Sequence, residues 1–142
     1  MKLTEKYFKQ KFTEYNALYF NSELQMCKFG LQDSYRQLGS FSYRVNRWER
    51  KKIPYKTIYI SRKYDFSEED FRDVLVHEMI HYYLAHKFFF VDAGDAHGKP
   101  FVEMMNEMKA RHNLNIRITH DQYALRLSDS GTRRGRFLCT LF

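Results

Sequence analysis

The sequence predicts a single α+β domain, in which a small antiparallel sheet packs on a central helix and a second helix. Three segments repeat apolar residues at helical spacing, and two others alternate β-branched and aromatic residues with polar ones. No repeat, linker or low-complexity tract divides the 142 residues. One domain over residues 1–142 is therefore expected, since this length is typical of single domains.

Apolar periodicity and capping signals predict three helices. The first covers Thr4 to Phe20, where aromatic residues recur at spacings of three and four. The second begins after Ser67, a suitable N-cap followed by three acids, and runs to about Phe88. The third covers Lys99 to His112, with Pro100 in its first turn, where the missing N–H costs nothing. The second helix is the central one.

Four segments are predicted to be strands. Leu38–Val45 and Thr57–Ile60 would form a β-hairpin around a basic connection, residues 46–54. Asn115–Thr119 and the apolar tail Phe137–Phe142 would add two more strands.

Composition excludes several classes of protein. Hydrophobic residues make up 44% of the chain and aromatic residues 18%, which excludes a disordered protein. No apolar run is long enough to cross a membrane, and the N-terminus lacks the apolar core of a signal peptide. The two cysteines, Cys27 and Cys139, are too far apart for a Cys-x-x-Cys motif. We therefore expect a cytoplasmic protein, or a nuclear one in a eukaryote, with reduced thiols and no membrane association.

The predicted central helix carries the sequence His77-Glu78-Met79-Ile80-His81. Residues four apart share one face of a helix, so both imidazoles could bind one metal ion. Glu78 lies about 100° around the helix from His77, which suits a carboxylate that contacts metal-bound water without binding the metal. The segment predicts a zinc site with two histidine ligands and a general base.

A purely structural interpretation competes with this one. In it, the segment is a core helix whose polar groups are satisfied by local hydrogen bonds. Burying two histidines and a glutamate among Val, Leu, Met and Ile is costly unless they are paired or bind an ion. Metal binding is therefore favoured. A residue that does not bind the metal itself normally orients a metal-bound histidine by a hydrogen bond to its other ring nitrogen. Asp73, four residues before His77, is one candidate for this role.

Catalytic zinc commonly has three protein ligands, and His97 is the favoured third one. It follows His81 by 16 residues, in a loop that could turn the chain back over the helix. Gly98 would let the backbone pass close to the metal. His86 lies about 180° around the helix from His77, so it cannot share the ion.

Other residues remain as alternatives for the third ligand. Glu103 is the main one, because a second helix could present it as in sites with two histidines and a glutamate. Asp92 and Asp95 are weaker candidates. His112 and His120 are interpreted as surface histidines or as partners of the metal-bound ones.

These residues resemble a known family. The segment His77–Leu84, followed by His97-Gly98-Lys99-Pro100-Phe101, is similar to the SprT-like metalloprotease domain of bacterial SprT proteins and eukaryotic Spartan. That family combines His-Glu-x-x-His with a later His-Gly-x-x-Phe at the start of a helix. Weaker similarity covers Tyr19–Asn21 and Asn115–His120, so it extends over most of the chain.

The resemblance implies a zincin-like fold of the minimal gluzincin type, with His77, His81 and His97 as Zn²⁺ ligands and Glu78 as the catalytic residue. It implies peptidase activity on protein or peptide substrates, linked in Spartan to DNA-bound proteins. One feature departs from the family: many relatives carry a four-cysteine zinc ribbon, whereas Cys139 stands alone here. DNA contact through a ribbon is therefore not supported.

The expected reaction is peptide hydrolysis, in which zinc activates a water and Glu78 accepts its proton and later passes it to the leaving amine. An extended substrate could pair with the strand Thr57–Ile60. Tyr82, Tyr83 and His120 are candidates for stabilising the oxyanion. A structural zinc site without turnover is disfavoured, since structural zinc usually has four ligands and is rich in cysteine.

Charge is segregated along this chain of net charge +7. Residues 36–63 contain nine Lys and Arg against one acid, and residues 65–107 contain ten acids against three bases. The basic segment could bind single-stranded DNA by phosphate contact and base stacking, or it could be a solvated hairpin. The alternative function is thus a nucleic-acid-binding module with a zinc site and little or no turnover. The residues predicted to bind DNA are Arg44, Arg47, Trp48, Arg50, Lys51 and Lys52.

Overall fold

A computed structural model of the chain describes residues 2–44, 55–88, 97–121, 126–127 and 138–141. The helices are α1 (Glu5–Tyr19), α2 (Glu68–Phe88) and α3 (Lys99–His112). The strands are β1 (Lys28–Gln32), β2 (Gln37–Arg44), β3 (Tyr55–Ser61), β4 (Tyr64–Asp65), β5 (Thr119–Asp121), β6 (Arg126–Leu127) and β7 (Leu138–Leu141). The predicted α+β class is confirmed.

All three helices lie where the sequence predicts them, because their end signals are local. The Thr4 hydroxyl accepts a hydrogen bond from the backbone N–H of Tyr7 at 3.1 Å, and that of Ser67 accepts one from Asp70 at 3.1 Å. Helix α3 has Gly98 as its N-cap, with a proline in its first turn. In the described part of the chain, no helix combines the length and the apolar character that crossing a membrane requires.

Five strands form one sheet in the order β1-β3-β2-β7-β5. The predicted hairpin is confirmed, since β2 and β3 pair antiparallel from Gly39 opposite Ile60 to Arg44 opposite Tyr55. The sheet as a whole is mixed and not antiparallel as predicted, because β1 runs parallel to β3 and β7 parallel to β2. β1 was missed because its sequence, Lys-Phe-Gly-Leu-Gln, is short and has a glycine at its centre.

The region after α3 differs from the prediction in part. Residues 113–118 form no strand, and β5 begins only at Thr119. Leu114 and Ile116 are buried in the core, so their burial and not a ladder of hydrogen bonds holds this segment. The predicted strand in the tail is confirmed as β7, which pairs antiparallel with β5. The two-stranded β4–β6 sheet was not predicted.

Helix α2 is the centre of the fold. Every residue from Val74 to Tyr82 is buried, as expected for a helix covered on all sides. On one side it packs on β2 and β3, and elsewhere it contacts α1 and α3. Aromatic rings fill the space towards α1 and β1: Phe8 stacks on Phe29 with ring centroids 4.6 Å apart, and both Phe8 and Phe12 are buried. The motif residues are therefore held inside the core.

Candidate metal centre

Three histidine side chains converge at the middle of α2. His77 and His81 lie one turn apart on that helix, and His97 lies two residues before α3. The Nε2 atom of His97 is 3.2 Å from Nε2 of His77 and 3.3 Å from Nε2 of His81. All three predicted ligands are thus brought together, with one ligand atom of each within 4.8 Å of the others.

These separations fit a tetrahedral metal ion. Zinc binds imidazole nitrogen at about 2.0–2.1 Å, so two nitrogens at tetrahedral positions lie about 3.3–3.4 Å apart. The observed 3.2 and 3.3 Å between Nε2 atoms are close to that value. Three imidazoles with one coordination position left over is also the donor set of catalytic zinc sites.

The backbone of residue 117 determines which nitrogen of His77 faces the site. Nδ1 of His77 lies 2.9 Å from the carbonyl oxygen of Arg117. Because a carbonyl only accepts hydrogen bonds, the proton is on Nδ1 and Nε2 presents its lone pair to the centre. Asp73, the candidate for this orienting role, instead accepts a hydrogen bond from Nε of Arg72 at 3.2 Å. The sequence carries no signal for the Arg117 carbonyl, since any residue type supplies one.

Burial keeps the imidazoles in the neutral form that binds metals. Desolvation, followed by the neighbouring histidines, holds the pKa of His77 well below its ordinary value of 6.5. Burial, followed by His97, lowers the pKa of His81 to about 3. Both rings are therefore uncharged at neutral pH, and binding a cation there displaces no proton.

Phe101, in the first turn of α3, forms one wall of the centre. Its ring centroid lies 4.7 Å from that of His77, 4.4 Å from His81 and 5.0 Å from His97. Phe101 is itself buried, so it excludes water from one side of the three rings and restricts their rotation. The resemblance includes this phenylalanine in its pattern, but its contact with all three histidines emerges only from the structure.

Glu78 lies beside the histidines. Its Oε2 atom is 4.0 Å from Nε2 of His77, and the side chain is fully buried. Within the described residues, neither carboxylate oxygen has a hydrogen-bond partner. Burial raises the pKa of this carboxyl well above its ordinary value of 4.5. A buried carboxylate without a partner is costly, and it suits a group whose proper partners are a metal-bound water and the substrate.

The main alternative ligand lies elsewhere. The Glu103 side chain is 66% exposed and faces the ammonium group of Lys99 at 3.8 Å. Neither His86 nor His112 belongs to the cluster, and the ring of His112 contacts that of Tyr19 instead. Asp92 and Asp95 lie outside the described residues.

The tyrosines predicted as oxyanion donors have other contacts. The Tyr82 hydroxyl donates a hydrogen bond to the carbonyl of Gln25 at 2.9 Å, and the ring of Tyr83 packs near Phe20 and Lys87. The prediction for Tyr82 is therefore wrong, because its hydroxyl is engaged in packing α2 against the segment after α1. The position of the His120 side chain lies outside the described part of the structure.

One of the predicted DNA-binding residues can be placed. The guanidinium of Arg44 lies 5.9 Å from the centre of the Tyr55 ring, and Tyr55 is 62% exposed. They face each other at the ends of β2 and β3, next to the connection between those strands. The others lie outside the described residues: Arg47, Trp48, Arg50, Lys51 and Lys52.

The fold and the site define an α+β protein with three clustered histidines that could hold a metal ion and an adjacent buried carboxylate. The model of the SprT-like family matches residues 8–120. Because this match covers most of the chain, the protein belongs to the SprT-like family. A search of curated proteins found no match.

Proposed function

We propose that the protein is a zinc-dependent metallopeptidase with a zincin-like fold of the minimal gluzincin type. One observation carries the proposal: three imidazole Nε2 atoms converge at 3.2 and 3.3 Å beside a buried carboxylate that has no hydrogen-bond partner within the described residues. A structural metal site would have no use for Glu78, which is costly to bury. Membership of the SprT-like family supports the same activity.

In this proposal, three histidines bind the metal and Glu78 transfers protons. His77, His81 and His97 would hold the ion, and a bound zinc would supply a Lewis acid that makes water a nucleophile near neutral pH and polarises a peptide carbonyl. Glu78 accepts the proton of the attacking water and returns it to the leaving amine. Because burial raises the pKa of Glu78, this carboxylate is a stronger base than an exposed one.

The predicted substrate strand is wrong. Thr57–Ile60 lies within β3, which pairs with β1 on one side and β2 on the other, so it has no free edge to offer a peptide. The strand next to Glu78 is β2, since Gly39 faces that side chain.

Metal content is the first measurement that tests the proposal. Elemental mass spectrometry of the purified protein should give close to one zinc per chain, and His97→Ala should lose most of it. His86→Ala is the matched control, because His86 lies on α2 outside the cluster and should retain the metal. Wild-type protein that takes up no zinc when supplied with it would contradict the proposal.

Turnover is tested with Glu78→Gln, which keeps the shape of the side chain and removes the base. A denatured protein substrate should be cleaved by wild type, and cleavage should fall by about 10²–10⁴-fold in the variant, with zinc retained. Glu103→Gln, which changes an exposed carboxylate, should cleave normally. Full activity of Glu78→Gln would exclude the mechanism.

A second candidate function is binding of single-stranded nucleic acid, and it is compatible with the first. The Arg44–Tyr55 pair supports it, since an exposed aromatic face beside a guanidinium can stack a base and contact a phosphate. The pair flanks residues 45–54, which add Arg47, Arg50, Lys51 and Lys52 to the same stretch of sequence. DNA-associated proteins would then be the substrates.

Binding of a fluorescent single-stranded oligonucleotide across a salt series tests this candidate. Affinity should fall steeply as salt rises, and Arg44→Ala with Tyr55→Ala should weaken binding at low salt. Lys9→Ala is the control, because it removes an exposed charge on α1 whose ammonium group faces Glu5 at 3.3 Å. No binding at low salt would exclude the candidate and leave the peptidase proposal intact.

A further inference from the structure

A row of side chains on α2 packs against a row on β2. Val74, Glu78 and Tyr82 follow one another at intervals of four, so they lie along one face of the helix. On the strand, Gly39 and Phe41 point to the same side because they are two residues apart. Phe41 stacks on Tyr82 with ring centroids 5.2 Å apart. Gly39 is thus the residue of β2 that meets Val74 and Glu78.

The absence of a side chain at residue 39 leaves the room that Glu78 occupies. A Cβ atom built on Gly39 would lie 3.0 Å from Oε2 and 3.3 Å from Cγ of Glu78, and 3.1 Å from Cγ1 of Val74. Ordinary van der Waals contacts of Cβ atoms lie at 3.4–4 Å, so any other residue would force these groups to move. They have little space to do so, because both lie in the fully buried stretch of α2.

Packing is also what holds the Glu78 carboxylate in place. Within the described residues, no hydrogen bond fixes either of its oxygens. Its direction then depends on the surfaces around it, and the surface on the β2 side is the backbone of Gly39. A displacement of about 1 Å in a catalytic group can cost about a hundredfold in rate.

We infer that Gly39 is a positioning residue that keeps the Glu78 carboxylate at its distance of 4.0 Å from Nε2 of His77. The catalytic consequence of this inference rests on the proposed function. The packing of Gly39 against the Glu78 carboxylate does not depend on activity. Gly39 acts through Glu78 and touches neither the metal nor the substrate. Alanine at this position should move the carboxylate while leaving the three histidines free to bind zinc.

The packing of Gly39 against Glu78 is tested in metal-free protein by a double-mutant cycle. Gly39→Ala should lower the Tm by roughly 3–10 °C in the wild-type background, and by much less in a Glu78→Ala background, where Cγ and the carboxylate are gone. A smaller loss in the Glu78→Ala background supports the inference. If Gly39→Ala alone fails to fold, recovery of folding in the Glu78→Ala background supports it as well. Equal losses in both backgrounds, or failure to fold in both, overturn it. Relief by Val74→Ala alone also overturns it, since Gly39 would then serve only helix packing.

The catalytic consequence is tested in the zinc-loaded protein. Gly39→Ala should keep its zinc and a KM within about twofold of wild type, while kcat falls by roughly 3- to 10-fold, because contacts of 3.0–3.3 Å displace the carboxylate by less than the about 1 Å that costs a hundredfold. Gly30→Ala is the matched control: this glycine lies in β1, which β3 separates from β2, and a Cβ there would meet the Tyr59 ring at 2.6 Å. Its kcat should stay unchanged even if its Tm falls.

The two failures are distinguishable. An unchanged kcat in Gly39→Ala overturns the positioning role while the peptidase proposal stands. Wild-type protein without turnover excludes the proposed function, and the stability cycle alone then decides whether Gly39 sets the place of the carboxylate.

Discussion

Helix α2 is buried in two regions of opposite character. Towards α1 and β1 it meets an aromatic cluster, in which Phe71 lies 5.2 Å from the Tyr7 ring and Phe12 lies 6.4 Å from the Tyr82 ring. Towards α3 and β2 it buries His77, Glu78 and His81, which are 0%, 0% and 2% exposed. We refer to these as the aromatic region and the metal region.

The difference shows which part of the helix stabilises the fold and which part destabilises it. Each ring buried in the aromatic region removes apolar surface from water, which favours folding by about 1.5–3 kcal/mol. In the metal region, neutral imidazoles and a carboxylate without a hydrogen-bond partner in the described structure are desolvated, which opposes folding in the metal-free protein. One helix thus connects a stabilising region to a costly one.

The largest expected effect lies in the aromatic region. Phe12→Ala should lower the free energy of unfolding by about 3–5 kcal/mol, because it removes a ring that is 1% exposed and leaves a cavity. Denaturant unfolding of the metal-free protein measures this. Leu18→Ala, at a 57% exposed position on the same helix, should change it by no more than about 0.5 kcal/mol. Similar losses for both variants would mean that α1 does not anchor α2.

The metal region should make the metal-free protein sensitive to acid. The pKa of His81 falls from 6.5 to about 3 on folding, so below pH 6.5 the unfolded chain binds a proton that the native protein does not. Stability is then lost as the pH falls from 6.5 towards 3, by up to about 1.4 kcal/mol per pH unit from this one group. His81→Gln should flatten the dependence of the free energy of unfolding on pH in this window. An unchanged slope would contradict the burial of a neutral ring.

Glu78 should have the opposite pH dependence. Burial raises its pKa on folding, so the native protein binds a proton more tightly than the unfolded chain, and stability is lost as the pH rises above 4.5. Glu78→Met should therefore stabilise the metal-free protein by about 1–3 kcal/mol at neutral pH, and by less at pH 4.5. Glu103→Met changes an exposed carboxylate and should give no such gain. Destabilisation by Glu78→Met would show that the carboxylate is well accommodated.

The same contrast explains how much of the molecule could be predicted from sequence. The three helices and the pair of clustered histidines on α2 depend on spacings of three and four residues and on caps such as Ser67, which are local features. His97 is more distant, yet its place before Pro100 in a helix start and its resemblance to a known pattern predicted its place in the cluster, and the structure brings it to His77 and His81.

The features that escaped prediction depend on tertiary contact. The carbonyl of Arg117 orients His77 across 40 residues, and a backbone oxygen leaves no mark in a sequence. Gly39 is one of several glycines, and only the packing of β2 on α2 distinguishes it from Gly30. The parallel pairing of β1 with β3 likewise follows from how the chain returns after α1, and no local period encodes it.

The smallest expected effect lies at the rim of the aromatic region, where Nζ of Lys11 on α1 is 2.8 Å from Oε1 of Glu68 on α2. Lys11 holds the pKa of the Glu68 carboxyl below its ordinary value of 4.5, so this contact stabilises the fold above pH 4.5 and is lost as the pH falls through the lowered pKa. Glu68 is exposed, so salt screens the pair and Lys11→Met should lower the Tm only slightly, mainly at low salt. Thermal unfolding at two salt concentrations measures this. A loss as large as that of Phe12→Ala, and independent of salt, would mean that charge and not ring packing joins α1 to α2.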